Sequence, residues 1–216
     1  MTKKEKIQQI IAYFSEHNPD AQTELEYTNP YELLVAVILS AQCTDKRVNM
    51  VTPKLFQRFS EAESLAQASV EEVFSLIRSI SYPNNKAKHL VGMAKILIEE
   101  FKGIVPSDVD ELQKMPGVGR KTANVIASVV YDMPTMAVDT HVFRVSARLG
   151  LTTKAKTPLE TENQLLKIIP KDKIAIAHHW LILHGRYVCI ARNPKCGQCP
   201  LTAYCDYFKK NKITKA

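Results

Sequence analysis

Helix-start signals recur along this chain at short intervals, and they limit its fold more tightly than any other feature. A Ser, Thr, Asp or Asn side chain ahead of a helix accepts hydrogen bonds from the exposed amides of the first turn, and an acid three residues on closes a capping box. Thr2 and Glu5 stand in this way ahead of Ile7, Ile10, Ile11 and Phe14, which share one helical face up to the stop at Pro19. Asn29, Pro30 and Glu32 precede an apolar run at 33–39, and Thr44 precedes Val48, Val51 and Leu55, where Pro53 is expected to kink or restart the helix. Ser60 is expected to open a short helix, Ser69 with Glu72 another as far as about Ile80, and Ser107 a third ending near Lys114. Residues 85–101 place Ala87, Leu90, Val91, Ala94, Leu97, Ile98 and Phe101 on one stripe before Gly103. Further helices are expected at 120–131, 140–149, 158–168 behind Thr157, and 172–186. No segment alternates with period two for long, and no hairpin dipeptide joins strand-like runs. The expected fold class is all-α.

Composition agrees with this. Only 7 glycines occur in 216 residues, with 45% hydrophobic and 24% charged, which excludes a disordered or collagen-like chain. The run at 33–39 is far short of the ~20 apolar residues a bilayer span needs, so no membrane partner is expected. The N-terminus MTKKEKIQQIIAYF lacks the apolar stretch and cleavage site of a secretory signal. A cytoplasmic location is therefore expected, with the 5 cysteines outside disulfides. Charge is uneven: residues 22–133 carry 12 basic against 14 acidic groups, whereas 134–216 carry 14 against 5. Such a surplus fits a polyanion partner, whose counterions Lys and Arg displace, or a solubilising surface. The lysine-rich tail 209–215 is expected to be mobile.

A second sign of a phosphate partner is Met115-Pro116-Gly117-Val118-Gly119-Arg120-Lys121-Thr122-Ala123. Two glycines one residue apart behind a proline let the chain reverse tightly and leave the next helix's amides uncovered, a concavity suited to phosphate. Taken alone, the run reads first as an ordinary turn between packed helices. Lys121 stands in the first turn of the second helix, where the dipole's positive end and neighbouring Arg120 disfavour an ammonium, and partial burial would add to this. A lysine that loses its proton more readily is a candidate nucleophile; a phosphate contact is the plainer role. Asp139, opening Asp139-Thr140-His141-Val142-Phe143-Arg144, is a natural N-cap, a role compatible with catalysis because capping can leave one carboxylate oxygen free. Helix 120–131 spans ~17 Å and 132–138 reach up to about 23 Å when extended, so the chain is long enough to bring Asp139 back to Lys121.

Cys189, Cys196, Cys199 and Cys205 are separated by six, two and five residues. Four thiolates this close suit one metal centre, and the spacing alone leaves structural zinc and a [4Fe–4S] cluster equal. With four cysteines present, His178, His179 and His184 read as helix-face residues rather than ligands. Cys43, in Leu39-Ser40-Ala41-Gln42-Cys43-Thr44-Asp45, reads as a small hydrophobe.

The runs LQKMPGVGRKTANVI, MAVDTHVFRV and HHWLILHGRYVCIARNPKCGQCPLTAYC resemble the endonuclease III family of helix-hairpin-helix DNA glycosylases, and the resemblance extends over about 29–207. It implies two helical lobes with a DNA-binding cleft between them: a six-helix barrel at 22–133 carrying the helix-hairpin-helix, and an iron–sulfur lobe made from 1–21 with 134–216. It implies one [4Fe–4S] cluster on the four cysteines, Lys121 as the catalytic amine, and Asp139 assisting base departure and proton transfer. Gly117, Val118, Gly119 and Arg120 would grip one strand through the backbone, and Arg186, Arg192 and Lys195 would meet phosphates. Gln42 would fill the gap left by an extruded nucleotide. The second wedge falls on Tyr82 in Ser81-Tyr82-Pro83-Asn84, where relatives commonly carry Leu-Tyr and Pro83 alters the loop; Asn193 stands where many relatives have a basic residue. The implied activity is that of a monomeric bifunctional DNA glycosylase and AP lyase of base excision repair. It would remove oxidised pyrimidines from damaged duplex DNA and cut the abasic strand through a lysine Schiff base and β-elimination. Two rivals fit less of the sequence. An adenine-removing relative would need a carboxylate at the place of Val37, and a zinc-stapled DNA-binding module would leave Lys121 and Asp139 without a task.

Overall fold

In the computed structural model, which describes residues 2–211, every regular element among the described residues is helical. The first helix, α1 (Lys3–His17), begins at a complete capping box: Thr2 Oγ1 accepts from the Glu5 amide and Glu5 accepts from the Thr2 amide. Packing divides the chain into two compact units, Glu24–Met133 and the segments Met1–Thr23 with Pro134–Ala216.

The unit Glu24–Met133 is built on α2 (Pro30–Ser40), in which Tyr31 and all of 33–39 are buried. A helix apolar on every side belongs inside a core. With it come α3 (Asp45–Arg58), α4 (Ala62–Ala66), α5 (Val70–Ile77), α6 (Pro83–Phe101), α7 (Val109–Leu112) and α8 (Arg120–Tyr131). Helices α3, α6 and α8 pack on α2, and α4 and α5 pack on α6. Several expectations need correction. Pro53 does not break α3: the proline removes one helix hydrogen bond, but the buried face of Val48, Val51, Thr52 and Leu55 carries the helix through. Helix α4 starts behind Glu61 with no side-chain cap, so Ser60 does not open it. Helix α5 ends at Ile77. Helix α7 is capped by Asp108 rather than Ser107, its Oδ1 accepting from the Asp110 and Glu111 amides at 2.9 Å. Helix α6 starts at Pro83, two residues early, because the ring presets the φ of a first helical position.

The other unit joins α1 to α9 (Thr140–Leu149), α10 (Pro158–Ile168), α11 (Ile174–Tyr187) and α12 (Asp206–Lys210). Its core gathers Ile10 and Phe14 from α1, Val142, Val145 and Leu149 from α9, Trp180 from α11, and Cys199, Leu201 and Cys205 from the cysteine loop. Phe14 stacks on Trp180 with centroids 5.7 Å apart, and the Trp180 indole donates to the Asn18 carbonyl at 2.8 Å. Buried Lys6 pairs with Asp206 at 2.9 Å, fastening α1 to α12. Helix α12 takes in Lys209 and Lys210 of the lysine-rich tail expected to be mobile; 212–215 lie outside the described residues. Among the described residues no helix is long and apolar enough to cross a membrane.

Candidate functional site

The hairpin of the unit Glu24–Met133 runs from α7 through 115–119 into α8. Gly117 has φ +82°, and a Cβ there would lie 2.9 Å from His89 Cβ, so neither the backbone nor the neighbour admits a larger residue. Val118 donates its amide to the Met115 carbonyl at 3.1 Å and buries its side chain. It therefore shapes the turn from within. Gly119 is the N-cap of α8; no side chain covers the first turn, and a Cβ on it would meet open space. The start of α8 is thus edged by backbone amides at the positive end of a helix dipole. Arg120 and Lys121 stand exposed on it, so burial does not act on Lys121. The next residues, 122–128, are buried, and the helix packs on α2. That packing fixes the base of the Lys121 side chain.

Two turns of the same unit carry Gln42 and Tyr82. Both residues are exposed, Tyr82 to 68%, and both hold left-handed backbone, with φ +56° and +57°. Tyr82 is the N-cap of α6, and Pro83 is simply that helix's first residue. Below them lies Lys86, which the sequence analysis passes over: it is buried and its ammonium donates to the carbonyls of Leu39 and Ala41. Its one local signal is a place beside Ala87, one turn before Leu90, on the apolar stripe of α6.

In the other unit, Asp139 caps α9 with Oδ1, which accepts from the His141 and Val142 amides, each at 2.8 Å. Capping leaves the second oxygen available, and Oδ2 lies 2.9 Å from His141 Nδ1. The carboxylate is held in one orientation and its side chain is 16% exposed. Further along α9 two arginines, also unmarked by the sequence, clamp the cysteine loop. Arg144 donates to the carbonyls of Cys189 at 3.1 Å and Gly185 at 3.0 Å. Arg148 donates to those of Ile190 at 2.8 Å and Ala191 at 2.9 Å and lies over the Tyr207 ring.

The four thiols of that loop line one small cavity with His184, Val188, Pro194 and Tyr207. Among the described residues no three His, Cys, Asp or Glu side chains converge as a single ion requires. Four separated thiols around a cavity fit an inorganic cluster, with one thiolate per iron, better than one tetrahedral zinc. Burial pushes the Cys199 thiol up to about 11 and raises Cys196 and Cys205, so these thiolates need cationic metal beside them. Burial also lowers His179 and His184 to about 4, which keeps both neutral near pH 7. With His178 they pack within α11, and His184 Nε2 approaches Cys199 Sγ at 3.7 Å. Arg192 and Lys195 are exposed on the loop and Arg186 is half-buried on α11. Asn193 has φ +52°, a conformation asparagine tolerates better than lysine or arginine, which gives a local reason for the missing basic residue.

Known proteins resemble this chain in sequence and fold. The HhH-GPD superfamily base excision DNA repair protein profile matches residues 35–171, and that of the iron-sulfur binding domain of endonuclease III matches 189–205, from the first cysteine of the loop to the last. Endonuclease III of Rickettsia conorii is 50% identical over 202 residues, covering 94% of this chain and 96% of that protein. The chain belongs to the endonuclease III family. Endonuclease III of Escherichia coli K12 is 44% identical over 94% of this chain and 95% of its own. A trapped endonuclease III–DNA covalent intermediate, in an estranged-adenine complex, superposes with TM-score 0.92 at 46% identity, covering 99% of this chain and 100% of that one. A non-covalent endonuclease III–DNA complex also gives 0.92 at 46% identity, over 98% and 99%. Membership in the endonuclease III family makes this all-helical protein a DNA glycosylase of base excision repair with a [4Fe–4S] cluster.

Proposed function

We propose that this family member excises oxidised pyrimidines from duplex DNA and then cuts the strand at the abasic site, with Lys121 as nucleophile and Asp139 as the assisting carboxylate. The observation that carries the reading is the place of Lys121 in the first turn of α8, directly behind the uncovered amides at Gly119. Phosphate grip and amine then share one rigid element, anchored by the buried residues 122–128. A covalent intermediate trapped with DNA in a relative 46% identical to this chain supports it.

The damaged nucleotide leaves the stack, at least cost where its pairing is already weak, while Gln42 and Tyr82 fill the gap. Neutral Lys121 gives its Nζ lone pair to C1′, and the bond from C1′ to the base breaks, the base leaving with the electron pair and taking up a proton. Opening of the sugar ring turns the Nζ–C1′ bond into a protonated Schiff base. Loss of a C2′ proton then expels the 3′ phosphate, which cuts the strand, and water releases Lys121 by hydrolysing the imine. Asp139, oriented by the α9 cap and His141, opposes the positive charge developing on the sugar and relays protons. Cys189, Cys196, Cys199 and Cys205 would hold the cluster, which would supply a structural staple for the loop that presents Arg192 and Lys195 to phosphate.

Borohydride reduction on an abasic duplex should trap the wild-type protein covalently. Lys121→Gln should abolish trapping and strand cutting yet keep binding to the abasic duplex, because the hairpin grips with backbone groups. A Lys121→Gln protein that still forms the adduct would sink the assignment.

A further inference from the structure

We propose that Lys86 is a positioning residue that holds the turns of Gln42 and Tyr82 together as one rigid wedge, an inference that rests on the reading that these two turns enter the duplex. Lys86 is only 5% exposed, and its ammonium donates to the Leu39 carbonyl at 2.7 Å and the Ala41 carbonyl at 2.6 Å. These belong to the end of α2, where the last carbonyls have no intrahelical partner and carry the negative end of the dipole. Two charge-assisted bonds therefore tie down the backbone immediately before Gln42. Through its own amide the same residue donates to the Tyr82 carbonyl at 3.1 Å, the bond that starts α6. One residue thus ends one turn with its side chain and the other with its backbone.

The backbone at these turns explains why so costly a device is kept. Gln42 and Tyr82 are non-glycine residues at φ +56° and +57°, a strained region that persists only where the surroundings over-determine it. Neither exposed side chain packs well enough to do that: Tyr82 is 68% exposed and gives α6 no side-chain cap. The restraint must come from beneath, and Lys86 is the buried polar group found there. Burial works against its charge, with Cys43 partly offsetting this, so a lysine at this place is not an economical choice for packing alone. An apolar residue would fill the space between α6 and the end of α2 at lower desolvation cost, and its amide would still bond the Tyr82 carbonyl, but both α2 carbonyls would be left unbonded and the Gln42 turn would lose its tie to the start of α6.

The test compares one abasic oligonucleotide as a single strand and in duplex, using borohydride trapping in single turnover with the holoprotein. Only the duplex demands a wedge, since a single strand has no opposite base to hold off. Lys86→Met keeps the length of the stem and removes the ammonium. It should slow trapping on the duplex by about tenfold or more while leaving the single strand within about twofold. In a Gln42→Ala/Tyr82→Ala background, Lys86→Met should add no further loss on the duplex, because its effect passes through those side chains. Equal loss on both substrates, no loss on the duplex, or a loss that adds to that of the double variant would each overturn the proposal. If Lys86→Met fails to fold, Lys86→Arg takes its place with the same two substrates, since a guanidinium keeps the charge but its larger, planar fork does not fit where the compact ammonium sits buried between both carbonyls. Wild-type protein that traps neither substrate would overturn the functional reading itself, whereas trapping on both with an inert Lys86→Met would overturn this inference alone.

Discussion

Asp139 caps α9 and, in the proposed function, carries a chemical task on the same carboxylate. Asn caps a helix as well as Asp, and its amide can face either tautomer of His141. Asp139→Asn should therefore melt within a few degrees of wild type while base excision in single turnover falls by about 10²-fold or more, through loss of negative charge at the sugar. A large drop in melting temperature with no separate loss of excision would make the residue structural. The cap was legible in the sequence because capping is local, whereas the His141 ring on Oδ2 was not, because a rotamer decides it. His179 supports a second prediction at this scale. Burial holds it at about 4, while a histidine in the unfolded chain titrates near 6.5. Between those values the unfolded state binds the proton and the native state does not. Stability present above about pH 6.5 is therefore lost as pH falls towards about 4, by up to ~1.4 kcal/mol per pH unit for this group. Urea unfolding between pH 5 and 6.5 should show a shallower slope in His179→Gln than in wild type.

At the scale of elements, the proposed function has the hairpin and the cysteine loop divide the work of binding. Gly117→Ala forces a left-handed alanine against His89, at a cost of about 1–3 kcal/mol. It should weaken duplex binding through the altered turn without changing the salt slope, because no charge is removed. Arg192→Ala and Lys195→Ala should do the opposite, each lowering the log–log salt slope by about 0.9. Titrations of duplex binding across a salt series separate the two cases, and an unchanged slope would mean that these side chains do not touch phosphate. Thr2, Asn29, Thr44, Ser69 and Thr157 were recognisable as caps because a cap depends on three or four adjacent residues. Ser60 and Ser107 misled because Glu61 and Asp108, each one residue further on, hold the N-cap position. Pro53 does not restart α3, because tertiary burial of one face outweighs a single missing bond.

For the whole molecule, the placing of Cys199 and Cys205 inside the hydrophobic core of their unit makes the cluster part of that core. Cys199→Ser should lose iron and its brown colour, and limited proteolysis should then open the loop between 189 and 210 before it reaches Glu24–Met133, whose own core contains no cluster ligand. Simultaneous cleavage throughout the chain would show instead that both units depend on the cluster. By itself the sequence determined an all-helical chain, the start of most helices, the glycine hairpin before Lys121 and the close spacing of four cysteines. Each is written in neighbouring residues, through periodicity, capping chemistry or spacing. Tertiary structure decided what those elements hold. Lys86 reaches carbonyls 45 and 47 positions away, and Arg148 clamps carbonyls 42 and 43 positions away. No local pattern marks such residues, because a lysine or arginine on a helix face looks solvated until a distant segment packs over it and its hydrogen bonds must be made inside.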